Sequence, residues 1–594
     1  MTQQTHSFAA KWLLLIWAGI ASQLLYADEP NVPASDIGKE ITAIIATKQH
    51  PYLKQANFAN RSEDLDALYK LANYKLLWLD NPSAIKNAGD AFALLNDAPA
   101  QGLIQENYDV GGLRKKYDEA LSLKPTDYKN LALFDTALSI AVLRFLHDVH
   151  YGRVNPHGIN FNLTLREKKL ADFPALIKDS LFLNIVAKLP PLVEPKLQQY
   201  QKLKSALATY RFIAEKSPAF KFILNGKLKP GEQHPQLAEL ANFLVSLGDF
   251  SYKNTVDSTT KLRQYTPDLV AGIKNFQRRH GLTPDGVIRP TTVAALNEPL
   301  TQKIKQIELA MERLRWLPEL NIGRSIIVNI PAFQLWAIDD INNTDINITN
   351  MRVVVGKALK NQTPVLMAHM SYVEFMPYWN VPKNILKDEI IPKLSKNLNY
   401  LASQNMEMIS SKGNPDKAKP IPVNSESIAK LEKGVYRVRQ KPGNRNSLGK
   451  VKFIFPNKDE VYLHDTPANS LFRKLRRDFS HGCVRVENPR LLAEFALKNQ
   501  GNWNTETIKK AMQNPVTQRV DLKHPIPVLL FYTTTFIDQH NNLAFYPDIY
   551  GHDAVLLEAL KKNDDLPDQS IFISSTHAEP SAVKSDTSAI KPVP

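Results

Sequence analysis

The stretch EVYLHDTPANSLFRKLRRDFSHGCVRV, Glu460–Val486, decides how this chain is read. Its first residues, rich in β-branched and aromatic side chains, predict a strand that ends at His464. Nineteen positions later comes Cys483, the sole cysteine of 594 residues, two places after His481 and directly after Gly482. That interval leaves room for a strand end, a loop and a return along a neighbouring strand. An imidazole and a thiol from adjacent β elements can then come within hydrogen-bond reach. A lone cysteine has three readings: a small buried filler, a link to another chain, or a nucleophile. Burial as a filler is the usual fate of a lone cysteine, and the neighbours supply what the third reading would need. An imidazole can take the thiol proton and later hand it to a leaving amine. Gly482 allows a tight backbone turn, and the N–H groups of Gly482 and Cys483 would stabilise an oxyanion.

On either side, the sequence continues in the same style. RSIIVNIPAFQLWAI (Arg324–Ile338), NMRVVVGK (Asn350–Lys357), SYVEFMPYWNVP (Ser371–Pro382) and VKFIFPN (Val451–Asn457) are short apolar runs bounded by Asn, Gly and Pro. They predict a mainly β domain over 323–505, interrupted at about 384–440 by a lysine-rich, helix-leaning insertion. Inserts of that length in a compact domain are often lids or substrate-facing flaps. A β-rich extension follows at 506–561, with a hairpin around DQHNN, and then a Ser/Pro/Asp-rich tail at 562–594 that is expected to be disordered.

Towards the N-terminus the period changes from two to 3.6. LDALYKLANYKLLWL (Leu65–Leu79) and LALFDTALSIAVLRFLHDVHYG (Leu131–Gly152) predict a helical scaffold region over 28–234. His147, His150 and Arg153 cluster there and read as satisfied polar groups rather than a site. A smaller module lies at 235–300. In LVAGIKNFQRRHGLTPDGVIRPTTVAALN (Leu269–Asn297) a helix stops at Gly281, TPDG turns, and Pro290 opens a second helix. At the start of the chain, Lys11 precedes the apolar run Trp12–Leu25, shorter than the ~20 residues a spanning helix needs. It reads as a signal peptide, residues 1–27, with an uncleaved anchor as the alternative because Leu25 is large for its place.

Composition is that of a globular chain, 43% apolar and 22% charged, and its formal charge of +15 favours anionic partners. The charge is dispersed, with no zinc finger, RNP-like run or long basic helix, which argues against nucleic acid. One cysteine permits neither an internal disulfide nor a cysteine-based zinc site.

Tyr462-Leu463-His464-Asp465-Thr466 followed by Ser480-His481-Gly482-Cys483-Val484-Arg485 resembles the signature of the YkuD-type L,D-transpeptidase catalytic domain. NIPAFQLWAI, VVVGK, TPVL and PYWNVPKNI look like its strands and loops. Phe276, Gln277, Gly281, Leu282, Asp285, Gly286, Ile288, Thr292, Ala295 and Leu296 resemble the three-helix peptidoglycan-binding pattern, with Arg289 where a glycine is frequent. The order of parts is similar to the large, exported Gram-negative members: helical scaffold, binding module, catalytic domain with a capping insertion. The departures in the catalytic motif are Asp465, where many simpler members carry glycine, and Asn488.

The resemblance implies a multidomain α+β chain and a set of roles. Cys483 is the acylated nucleophile and His464 the general base and acid, with His481 as rival base or pocket residue. Gly482, Cys483 and Ser480 shape the oxyanion region. Arg485 pairs with a substrate carboxylate or pins the loop to Asp465 or another acid. Tyr378 and Trp379 wall the donor cleft or pack the core. The implied reaction attacks the bond to a terminal D-alanine in a peptidoglycan stem tetrapeptide, releases D-alanine, and passes the acyl group to the side-chain amine of a diamino acid on a second stem, giving a 3–3 crosslink. No metal or organic cofactor is implied. The compartment is the periplasm, and other cell-wall enzymes are further partners the resemblance allows. The rival readings are a non-catalytic wall-binding scaffold, the same chemistry with water or a protein as acceptor, and, distantly, a papain-type protease.

Overall fold

The computed structural model describes residues 35–156, 159, 171–216, 220–252, 263–317, 323–339, 348–413, 418–538 and 541–565. The expected signal peptide, residues 1–27, and the expected tail from 566 onward lie outside the described residues.

The N-terminal region is helical. Its organising element is the 24-residue helix Tyr128–Tyr151, whose apolar residues are almost all buried and which is packed by the helices Asp36–Thr47, Ser62–Leu71 and Val110–Ala120. It carries polar groups in its core, and its buried carboxylate is well matched. Asp135 accepts from Tyr69 Oη at 2.6 Å and from the backbone N–H groups of Leu77 and Trp78. Such bonds are what make buried carboxylates tolerable. His150 of the predicted polar cluster donates to the Val193 carbonyl at 2.6 Å.

The helices Gln198–Lys216 and Leu300–Arg315 pack on each other and share one hydrophobic core with the β domain. Buried Glu312 holds this junction. It accepts the N–H groups of Arg153 at 2.6 Å and Val154 at 3.1 Å, and pairs with buried Arg315 at 3.0 Å.

The small module has the three expected helices, Leu237–Ser246, Pro267–Arg279 and Pro290–Leu296, around Phe276, Ile288 and Leu296. Gln277 ties its turn, donating to the Val287 carbonyl and accepting from the Gly286 N–H, both at 2.9 Å. Arg289, where a glycine is frequent, forms an ion pair with Asp285 at 2.8 Å. Arg279 joins the module to its neighbours. It grips Asp249 at 2.5–2.6 Å and reaches Tyr210 Oη at 2.8 Å on the last scaffold helix.

The β domain comprises β1 Ser325–Asn329, β2 Gln334–Ile338, β3 Ile348–Gly356, β4 Leu366–Phe375, β5 Trp379–Asn380, β6 Met406–Ser410, β7 Tyr436–Gln440, β8 Val451–Ile454, β9 Leu463–His464, β10 Asp478–Ser480, β11 Val484–Val486 and β12 Gln518–Phe531. The main sheet runs β10-β3-β11-β9-β8-β4-β12-β1-β2, and β2 pairs back onto β3. The strands other than β10 therefore close a ring, which removes the exposed edges of an open sheet.

Three expectations change. The sheet does not stop at 505: β12, assigned to a separate extension, lies between β4 and β1 and completes the ring. Strand pairing across that sequence distance leaves no local signal. The insertion is helical, as expected, but also carries its own antiparallel sheet β5-β7-β6 and a separate core around Leu394, Met408 and Val438. The C-terminal helix His552–Asp565 runs past 562, the expected start of the disordered tail.

Candidate active site

β9 is two residues long and sits between β8 and β11. It pairs in parallel with β11, Leu463 opposite Val484 and His464 opposite Arg485. The Val484 N–H donates to the Tyr462 carbonyl at 3.1 Å, which sets Cys483 level with Tyr462. Because side chains alternate along strands, Leu463 and Val484 enter the core, both fully buried. Tyr462, His464, Cys483 and Arg485 are left on the opposite face. The Tyr462 and His464 rings lie 5.7 Å apart.

His464 Nδ1 is 2.6 Å from the backbone carbonyl of Asp465. A carbonyl can only accept, so Nδ1 carries the proton and Nε2 keeps its lone pair. Burial and the nearby Arg485 charge pull the imidazole pKa down to about 3. Cys483 is half-buried, and burial pushes its thiol up despite Tyr462 and Arg485, which favour the thiolate. The resting pair is a neutral thiol and a neutral imidazole. Iodoacetamide alkylation of Cys483, followed by intact mass against pH, is therefore expected to be slow at pH 7 and to climb to beyond pH 9. A rate plateau already reached below pH 7 would instead mean a preformed thiolate–imidazolium pair.

The turn before β11 is built by one glycine and two hydroxyl side chains. Gly482 has φ +116, in the region that favours glycine. Thr363 accepts from the Gly356 N–H at 2.9 Å and donates to the Gly482 carbonyl at 2.7 Å. Ser480 Oγ accepts from the Gly482 N–H at 3.2 Å and donates to the Cys483 carbonyl. This corrects the expected oxyanion donors: the Gly482 N–H is engaged by Ser480. The Cys483 N–H has no acceptor among the described residues.

His481, the rival base, points elsewhere. Its Nε2 lies 2.8 Å from Glu389 Oε1 in the insertion. Asp465 is not the partner of Arg485, because its carboxylate accepts the N–H groups of Lys450 at 2.8 Å and Thr466 at 2.7 Å. Arg485 forms no ion pair among the described residues, and its Nε is buried without a hydrogen bond. That removes loop-pinning by Asp465. Trp379 packs into the insertion core and Tyr378 lies under the Arg439 guanidinium at 4.2 Å. Both serve packing at the base of the insertion.

A groove of about 830 Å³ runs beside the catalytic turn, between the barrel and the start of the insertion. Lys357, Lys360, Arg476 and His481 line it on the barrel side, Asp388 and Glu389 on the other. Sequence reading missed Tyr462, Thr363 and Glu389. Two-residue alternation with His464 marks Tyr462; Thr363 lies in TPVL, read only among the domain's strands and loops; Glu389 has no local signal.

Comparison with known proteins places domain matches along the chain. Residues 323–513 match the L,D-transpeptidase catalytic domain, YkuD. Residues 63–207 match a family described as "Scaffold domain" and 233–296 one described as "Putative peptidoglycan binding domain". The chain thus carries a YkuD-type L,D-transpeptidase catalytic domain behind a helical scaffold and a peptidoglycan-binding domain. A curated "Putative L,D-transpeptidase" of Haemophilus influenzae is 37% identical over 255 residues, 43% of this chain and 48% of that protein. The chain therefore spans about half the length of that relative. Among solved structures, an L,D-transpeptidase from Xylanimonas cellulosilytica is 14% identical over 52% of this chain and 100% of its own, with a TM-score of 0.16. A fused Zn-dependent amidase/peptidase/peptidoglycan-binding domain-containing protein from Clostridium acetobutylicum is 10% identical over 51% and 99%, with a TM-score of 0.13. At those scores neither likeness carries any part of the assignment.

Proposed function

We propose that this chain is a cysteine-dependent L,D-transpeptidase that forms 3–3 crosslinks between peptidoglycan stem peptides in the periplasm. The observation that carries the reading is the tautomer of His464: its Nδ1–H is committed to the Asp465 carbonyl, which leaves Nε2 as a base on the face shared with Cys483.

A stem tetrapeptide binds with its terminal carboxylate towards Arg485, which has no acid of its own among the described residues. That docking also offsets the cation that helps hold His464 down, and so raises its basicity where it is needed. The thiol proton passes to Nε2 as sulfur attacks the carbonyl before D-alanine. The Cys483 N–H stabilises the developing oxyanion. The imidazolium then protonates the departing amine, leaving a thioester. An amine of a second stem, with its proton passing to His464, displaces the thiolate and completes the crosslink. Water in its place yields a tripeptide.

Incubating the mature protein with disaccharide-tetrapeptide and analysing the products by mass spectrometry tests this. Free D-alanine and 3–3 dimers are expected, together with a covalent carbapenem adduct on Cys483. Folded protein that yields neither D-alanine nor an adduct would favour the wall-binding scaffold.

A further inference from the structure

We propose that Tyr550, which lies beyond the stretch matching the catalytic-domain family, is a positioning residue: through Thr363 its hydroxyl aims the Cys483 N–H at the oxyanion. This rests on the cysteine-dependent transpeptidase reading above.

The path from the phenol to the nucleophile is short. Tyr550 Oη donates to the Gly356 carbonyl at 2.6 Å and accepts from the Thr363 N–H at 3.2 Å, so one hydroxyl closes the mouth of the loop 357–363. Both ends of that loop bond to the catalytic turn. The Lys357 N–H donates to the Ser480 carbonyl at 3.0 Å, and Thr363 Oγ1 donates to the Gly482 carbonyl at 2.7 Å. The Gly482 carbonyl and the Cys483 N–H belong to one peptide unit, which is planar and trans. Fixing the carbonyl therefore fixes the direction of the N–H on the other side of the plane. The tip of the loop stands in solvent, with Leu359 97% exposed, so its shape is set at the mouth.

Tyr550 is itself firmly held. Its backbone N–H donates to Tyr532 Oη at 2.9 Å, and the two rings stack with centroids 5.6 Å apart. Tyr532 is fully buried just past the end of β12. Two residues on, His552 Nε2 lies 3.1 Å from Gln362 Oε1, a second tie between this segment and the loop. The helix that His552 opens is anchored in turn, Asp553 pairing with buried Arg313 at 2.5 Å. Burial pushes the Tyr550 phenol up to about 12, so it keeps the proton that it donates.

Tyr550→Phe in the full mature chain keeps the stacked ring and removes only the hydroxyl. Two reactions of Cys483 then separate positioning from mere support. Carbapenem acylation passes through an oxyanion and needs the Cys483 N–H, whereas iodoacetamide displaces iodide and needs only the thiol. The variant is expected to lower the saturating rate of carbapenem acylation about tenfold, with half-saturation and the iodoacetamide rate at pH 9 unchanged within twofold. Thr363→Val should show the same split, and Thr363→Ser, which restores the hydroxyl, should recover most of the rate. A hydroxyl that only supported the fold would lower the melting temperature and leave the acylation rate of folded protein as in wild type, which would overturn the proposal. Loss of both reactions in parallel would overturn it too. Should Tyr550→Phe not fold, Thr363→Val acylating at the wild-type rate would have the same force. If wild type forms no carbapenem adduct, the catalytic reading falls and this one with it.

Discussion

Cys483→Ala is expected to fold and to release no measurable D-alanine, a loss of about 10⁵-fold or more. The side chain is half-buried at the end of a turn, so removing its sulfur leaves a small gap and costs the fold about 1 kcal/mol or less. The chemistry has no substitute, because the chain contains no second thiol. Cys483→Ser is expected to fare little better. His464, with its pKa pulled down to about 3, is a weak base even for a thiol. A hydroxyl is far less acidic, and the same imidazole cannot draw its proton at a useful rate. D-alanine release and thermal melting of the two variants beside wild type decide the matter. Appreciable turnover by either would remove sulfur from the mechanism.

Gly356→Ala should be the most damaging change that touches neither substrate nor base. A Cβ there would lie 1.9 Å from the Asn361 carbonyl oxygen, 2.7 Å from the Thr363 N and 3.0 Å from the Asn361 carbonyl carbon. All three are backbone atoms, so no side chain can swing aside. The loop 357–363 must move, and Thr363 would lose its bridge between the Gly356 N–H and the Gly482 carbonyl. The expected result is destabilisation of about 3 kcal/mol. In the fraction that folds, acylation should slow about 100-fold, because displacing the turn by an ångström misaligns the nucleophile. Denaturant melts and carbapenem acylation rates would measure the two effects separately. An unchanged acylation rate would show that the turn does not depend on Thr363.

Much of this arrangement was legible in the residues themselves. The strand character of VYLH and VRV, the glycine at 482 and the spacing of His464 from Cys483 were enough to foresee a thiol and an imidazole on neighbouring strands. The helical scaffold and the three-helix module followed from periodicity. Features that depend on distant partners were not visible. β12 joins the ring by pairing with strands more than 140 residues earlier, and nothing in its own pattern names them. His481 looked like a second base because it is near Cys483 in sequence, and only the insertion, 92 positions away, claims it. The Gly482 N–H looked available because the hydroxyl that takes it, two residues upstream, has no fixed direction until the turn is built.

The buried Arg279–Asp249 clasp has one more implication. Asp249 fixes Arg279 within the small module, and Arg279 also reaches Tyr210 Oη on the last scaffold helix, which shares its core with the barrel, so the three bodies are packed into one frame rather than strung as beads on a tether. A glycan strand gripped by that module would present its peptides at a set reach and angle from the sulfur. On the crosslinking reading proposed above, such a frame would work as a caliper, measuring out which stems along a wall chain can be joined instead of sampling whichever drift past.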